Sequence, residues 1–171
     1  MQLKPKVSEH DHAKGNLASD LVILEYGDYQ CPHCGAAHPV IEEMMKEFGN
    51  NIKFVFRNFP LSEMHPDARN AAQAAEASAL QGKFWEMHDL IFEDQEHLSE
   101  SDLLHRAKKL HLNIDKFKKD MESETLAERV DNDFESGIRS GVNGTPSFFV
   151  NEKKFEGGAM SLLQMIRDSV K

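Results

Sequence analysis

The sequence predicts a mixed α/β fold, with one central sheet and helices packed on its faces. Three observations predict it. Short apolar runs rich in Val, Ile and Phe stand near the start of the chain and again near its end. Between them apolar residues return at three- and four-residue spacing, the period of a helix with one buried face. The first two runs are joined by a single amphipathic helix, long enough for a right-handed crossover between parallel strands.

Taken in order, Met1 to Asp20 reads as an irregular arm with one short extended piece, in which His10 and His12 lie on a flexible segment. Leu21 to Tyr26 is a short apolar run whose Val and Ile favour a buried strand. A helix is expected from Pro32 to Phe48, since Ala37, Val40, Ile41, Met44, Met45 and Phe48 make one apolar face. Proline suits its first turn, Pro39 should kink it, and Gly49 is expected to end it in the left-handed conformation. Ile52 to Phe56 alternates as a second strand. From Met64 to Ser140 the pattern is helical. The first helix of this block starts at His65-Pro66, with an inner face of Ala68, Ala71, Ala72, Ala75 and Ala79. Ser99 with Asp102 forms a capping pair, Asn113 caps a short helix, and Leu126, Val130, Phe134 and Ile138 make a stripe at four-residue spacing. Ser147 to Val150 and Lys154 to Glu156 form a hairpin turned by Asn151-Glu152, and a last helix carries Leu162, Leu163, Ile166 and Val170. This order divides the chain into a sheet unit, 1–63 with 139–171, and an inserted helical unit, 64–138.

At 171 residues the chain fits one domain, or one domain with an insertion. Its net charge of −9 and the lack of a basic patch argue against nucleic acid. No apolar run reaches the ~18 residues of a spanning helix, so no membrane insertion is expected. The first twenty residues lack the apolar middle of a secretory signal. Taken at face value the chain is cytoplasmic; a processed mature chain, periplasmic or extracytoplasmic, would read the same.

Cys31-Pro32-His33-Cys34 holds the only two cysteines, and it stands where the first strand gives way to the first helix. Thiolate, not thiol, is the reactive form of cysteine. Cys31 caps a helix whose free N–H groups and dipole favour negative charge, and His33 adds a positive charge or a donor nearby. Cys34, one turn on, faces inward. An exposed nucleophile and a buried resolving thiol are what disulfide exchange requires. A structural zinc site needs four ligands, and without a second cysteine pair His38 and His65 would have to serve. The redox reading therefore stands ahead of a metal one, and neither a metal nor a cofactor is expected.

The chain resembles the DsbA-like thiol–disulfide oxidoreductases of the thioredoxin-fold superfamily. The carriers are Cys31-Pro32-His33-Cys34, Glu25 six residues before it, Pro39 eight residues after Cys31, and Gly144-Thr145-Pro146-Ser147-Phe148. The helical block is similar to the insertion that separates those proteins from plain thioredoxins. The resemblance implies a thioredoxin-like fold with a mixed sheet and a large helical insertion. It implies that Glu25 is a buried proton acceptor for the cysteine pair. It implies that Pro146 is cis and packs beside that pair, and that the Thr145 backbone meets an extended substrate. The implied partners are protein or peptide thiols and disulfides, together with a redox partner that recycles Cys31 and Cys34. The protein is expected to act as a monomer. Oxidase, reductase and isomerase directions remain open. A binding module carrying metal or unfolded chains, and a glutathione-dependent transferase of the kappa type, are the competing classes.

Overall fold

The computed structural model describes residues 1–170. Five strands form one mixed sheet in the order β1-β3-β2-β4-β5. β2 (Val22–Gly27) and β3 (Lys53–Asn58) are parallel neighbours, joined by helix α1 (Pro32–Phe48). β1 (His12–Gly15) adds antiparallel to β3, and β4 (Ser147–Val150) adds antiparallel to β2. β5 (Lys153–Phe155) closes the far edge against β4. Five helices fall between β3 and β4: α2 (Ala68–Ala79), α3 (Phe84–Glu93), α4 (Glu100–Lys109), α5 (Ile114–Met121) and α6 (Glu124–Arg139). Helix α7 (Ala159–Ser169) ends the chain.

Strand alternation sorts the sheet residues onto two faces. Ile23, Phe54, Phe56 and Phe148 join the larger core, with α1, α2, α3 and α7. Leu24, Tyr26, Val55 and Phe149 join the smaller one, with Leu3, Phe59 and Val142, and Phe134 of α6 packs against it. Glu25 pairs in register with Phe56 and Phe148, which puts it on the face covered by α1. Both sides of the sheet are covered, so its central strands are apolar nearly throughout.

Several local expectations need correction. The arm is not free. Gln2 bridges to Lys153, Leu3 is buried, and Asp11 takes a forked ion pair from the buried Arg57. His12, expected on a flexible segment, stacks on Phe84 at 3.7 Å and meets Glu76 at 2.8 Å. Gly49 ends α1 in ordinary right-handed geometry (φ −57°), its N–H bonded to the Met45 carbonyl. The left-handed glycine here is Gly15 (φ +87°), where a Cβ would stand 2.5 Å from the Ile52 carbonyl oxygen. β3 runs on through Arg57 and Asn58, polar residues kept in the strand by buried partners. The first helix of the block starts at Ala68 rather than at His65-Pro66, and Ala74 and Ala77 are buried as well. On α6 the four-residue stripe fails at its end, because each step of four drifts about 40° round a helix. Leu126 and Val130 are buried, while Ile138 is 55 % exposed and Gly137 takes its inward place.

Other local signals match what forms. Ser99 and Asp102 make a reciprocal capping box, and Asn113 accepts from the Lys116 N–H. Asn151 and Glu152 both adopt positive φ, the two-residue turn that joins β4 to β5.

Candidate active site

Cys31 is the N-cap of α1, with extended backbone, and Pro32 is the first helical residue. Proline serves there because its missing N–H has no partner to lose. The turn before the helix is held by Asp28, a buried residue that follows the last residue of β2. One carboxylate oxygen accepts from the N–H of Gln30 (2.7 Å) and of Cys31 (3.0 Å). The other accepts from the Leu61 N–H (2.9 Å) and meets His65 Nδ1 (2.8 Å). The Asp28 N–H points at Cys34 Sγ, 3.5 Å away. An aspartate three residues ahead of a helix-capping cysteine is a local turn signal, so Asp28 was legible in principle.

A second clamp was not legible. Gln95, from the segment after α3, donates its amide to the carbonyls of Tyr29 (3.0 Å) and Cys31 (2.8 Å). It lies so close to α1 that a Cβ at Gly35 would fall 1.9 Å from its side-chain oxygen. Only glycine lets Gln95 reach the Cys31 carbonyl.

Cys31 and Cys34 are both free thiols. Cys34 is fully buried, in line with an inward-facing thiol. Cys31 differs from the expectation of exposure, since only 4 % of it is open. Its cover includes the loop before β4, where the Thr145–Pro146 peptide bond is cis and the Thr145 carbonyl lies 3.7 Å from Cys31 Sγ. The four residues 31, 34, 145 and 146 thus meet at one place, although Thr145 follows Cys31 by more than a hundred residues in the chain.

The two sulfurs bind protons very differently. The Cys34 thiol donates to Cys31 and, with Thr145 and the N–H groups of Cys34 and His33, brings Cys31 down to about 5 against the opposing effect of burial. The Thr145 hydroxyl is buried and unpartnered beside the uncharged thiol, so it is free to turn to the thiolate. Cys34 is pushed far up by its bond to the Cys31 thiolate, by burial and by the charge of Glu25. His33 contributes through its backbone, and its side chain stands exposed. Glu25 is 3 % exposed; burial, reinforced by the Cys31 thiolate and opposed by Lys14, pushes its carboxyl up to about 8. Among the described residues that carboxyl has no hydrogen-bond partner.

A cleft of about 500 Å³ lined by Pro60, Leu61, Met64 and Phe134 opens next to the Asp28 turn, and a shallower one of about 300 Å³ lies over residues 143–147 and 154–157. The second is lined by Thr145 and Pro146 themselves.

A thioredoxin family model matches residues 7–166. Among curated proteins, the chain is 41% identical over 153 residues to the Na(+)/H(+) antiporter NhaA 1 of Salinispora arenicola, covering 90% of this chain and 23% of that protein. It is 39% identical over 168 residues to the NhaA 1 antiporter of Mycolicibacterium vanbaalenii, covering 96% of this chain and 27% of that one. The chain thus spans about a quarter of the length of these relatives. Among solved structures it is similar to BdbD from Bacillus subtilis, with a TM-score of 0.83 at 24% identity over 99% of this chain and 94% of that one. The thiol-disulfide exchange protein alpha-DsbA2 from Wolbachia pipientis gives 0.83 at 22% identity, over 96% and 89%. A thioredoxin-like oxidoreductase from Silicibacter pomeroyi gives 0.82 at 24%, over 95% and 93%. At these identities the likeness is one of fold.

Proposed function

The chain belongs to the thioredoxin family, and on that premise we propose that it is a DsbA-like thiol–disulfide oxidoreductase acting on protein or peptide substrates. One observation carries the reading: Cys31 caps α1 under the cis Thr145–Pro146 loop with Cys34 fully buried one turn on, a placement that drives the proton affinity of Cys31 down and that of Cys34 up. A structural cysteine pair has no use for that asymmetry, whereas disulfide exchange depends on it.

In the reducing direction the Cys31 thiolate attacks a substrate disulfide. One substrate sulfur bonds to Cys31 Sγ and the other leaves as a thiolate. Cys34 then gives its proton to Glu25 and attacks Cys31 Sγ, which releases the second substrate sulfur and closes Cys31–Cys34. A carboxyl with a pKa of about 8 is well matched to this transfer near neutral pH. In the oxidising direction a substrate thiolate attacks the Cys31–Cys34 bridge and the steps reverse. Because Cys31 is nearly covered, the substrate reaches it as an extended segment laid along the Thr145–Pro146 loop. Residues 64–138 act as the inserted helical unit, which reaches the redox turn through Gln95 at the Tyr29 and Cys31 carbonyls. A separate redox partner resets the pair.

Antiport, the activity in the names of the curated relatives, is not carried over. The chain matches about a quarter of those proteins, and no helix among its described residues is long and apolar enough to cross a membrane. The compartment goes with the direction: a disulfide donor works outside the cytoplasm and a reductant within it.

The test is trapping. Cys34→Ser should accumulate a mixed disulfide with a model peptide, and Cys31→Ser should reduce insulin no faster than the uncatalysed reaction. The attack rate of the reduced protein should follow a titration with its midpoint near pH 5. Full activity in Cys31→Ser ends the proposal. The reduction potential of the pair then assigns the direction.

A further inference from the structure

His38, His88 and Asp89 stand outside the chemistry described so far. His38 lies on α1, one turn past Cys34; His88 and Asp89 lie on α3. One ligating atom from each can be chosen so that all lie within 4.8 Å of one another. We propose that these three side chains form a binding site for a divalent transition-metal ion of the zinc–cobalt class, placed beside the redox pair.

Four observations support the site. First, the geometry is close to a ligand set. Tetrahedral zinc at bonds of 2.0–2.1 Å separates its donors by about 3.4 Å, and His38 Nε2 already stands 3.7 Å from Asp89 Oδ1. Second, that Asp89 oxygen is buried and unpartnered. At 3.7 Å it is too far from His38 for a hydrogen bond, so this buried oxygen is left unsatisfied. Third, His88 has the outer partner that a metal-bound histidine needs. Its Nδ1 bonds the Tyr29 hydroxyl at 2.8 Å, which fixes the orientation of the ring. Phe56, Phe84, Trp85 and Phe92 hold that ring in place. Fourth, the carboxylates of Glu42 and Glu93 place further negative charge around His38 and Asp89, and the nearby Lys14 is itself paired to Glu42 at 2.8 Å.

Two imidazoles with one carboxylate suit zinc, cobalt or nickel rather than calcium or magnesium, which take all-oxygen shells. Asp89 keeps 34% of its side chain open, so an ion has a way in and water has a fourth position. The site touches the redox loop at both ends, through Tyr29 two residues before Cys31 and His38 four residues after Cys34.

The experiment uses the full chain with Cys31–Cys34 oxidised to a disulfide, so that thiols take no part. Metal-free protein is titrated with Co²⁺, followed by visible absorption, and the cobalt is then displaced with Zn²⁺. The expected result is one ion per chain, without sulfur charge-transfer bands. Asp89→Asn and His38→Ala should each weaken binding by more than about tenfold, and Tyr29→Phe by about tenfold, the range for an outer-shell partner. Far-UV circular dichroism of the metal-free variants checks that they fold, and His38→Gln replaces His38→Ala if the latter does not. Absence of saturable binding overturns the proposal. So does an Asp89 or His38 variant that binds like the unchanged protein, which would locate the ion at histidines elsewhere on the surface.

Discussion

Two glutamates lie equally deep in this molecule and behave in opposite ways. Glu25 is 3 % exposed and Glu76 is 2 % exposed. Burial pushes the Glu25 carboxyl up to about 8, and no hydrogen bond counters it. Burial pushes Glu76 in the same direction, yet the His12 ring, Arg129 and the Asn58 amide together bring it below the usual carboxylate value. Depth alone therefore decides nothing; the partners do. Glu76 is a strut that ties α2 to β1, β3 and α6. Glu25 is kept without such ties, which is what the proposed transfer of a proton from Cys34 requires.

Removing the strut should give the largest effect. Glu76→Ala leaves the Arg129 and His12 side chains facing a buried gap and should cost about 3–5 kcal/mol. Urea unfolding at pH 7 checks it. Disulfide exchange per folded molecule should hardly change, and a loss below 1 kcal/mol would break the contrast.

Glu25→Gln should act the other way. The folded pKa of Glu25 is raised above its ordinary 4.5 to about 8. Its contribution to stability is thus full below the ordinary value and is lost as pH rises through 8. In the oxidised protein, where Cys31 does not titrate, stability should fall over this window, and Glu25→Gln should remove the slope. At pH 9 the variant should be more stable than the parent, by on the order of a few kcal/mol. The same change should slow resolution of the mixed disulfide and leave the first attack intact. An oxidised parent protein with no slope between pH 5 and 9 would show that the Glu25 carboxyl is not held neutral.

The smallest change expected is at Gln95. Gln95→Ala removes two neutral hydrogen bonds to the Tyr29 and Cys31 carbonyls and should lower stability by about 1 kcal/mol. A shift in the Cys31 titration midpoint would show that the clamp also positions the nucleophile. An unchanged midpoint would make it a simple brace.

Much of the fold was legible because it is written locally. The hairpin turn at Asn151-Glu152, the Ser99 capping box and the apolar face of α1 each depend on residues within a few positions of one another. The order of strands and helices follows from them. The N-terminal arm was misread because its reason for order lies elsewhere. His12 and Asp11 are held by Glu76 and Arg57, which lie far along the chain. The stripe on α6 was misread at Ile138 because a four-residue spacing drifts away from the true helical period.

The sequence by itself determined that a pair of thiols would open a helix behind a buried strand, and that this strand would carry one acid, Glu25. Both follow from spacing along a few residues. Only the tertiary structure decided what surrounds them. It brings the Thr145 carbonyl over Cys31, ties the Asp28 carboxylate to Leu61 and His65, leaves Glu25 without a partner, and sets His38 beside His88 and Asp89. These contacts join segments distant in the chain. Whether a buried group finds a partner is settled when helices and sheet pack together, and no local period records it.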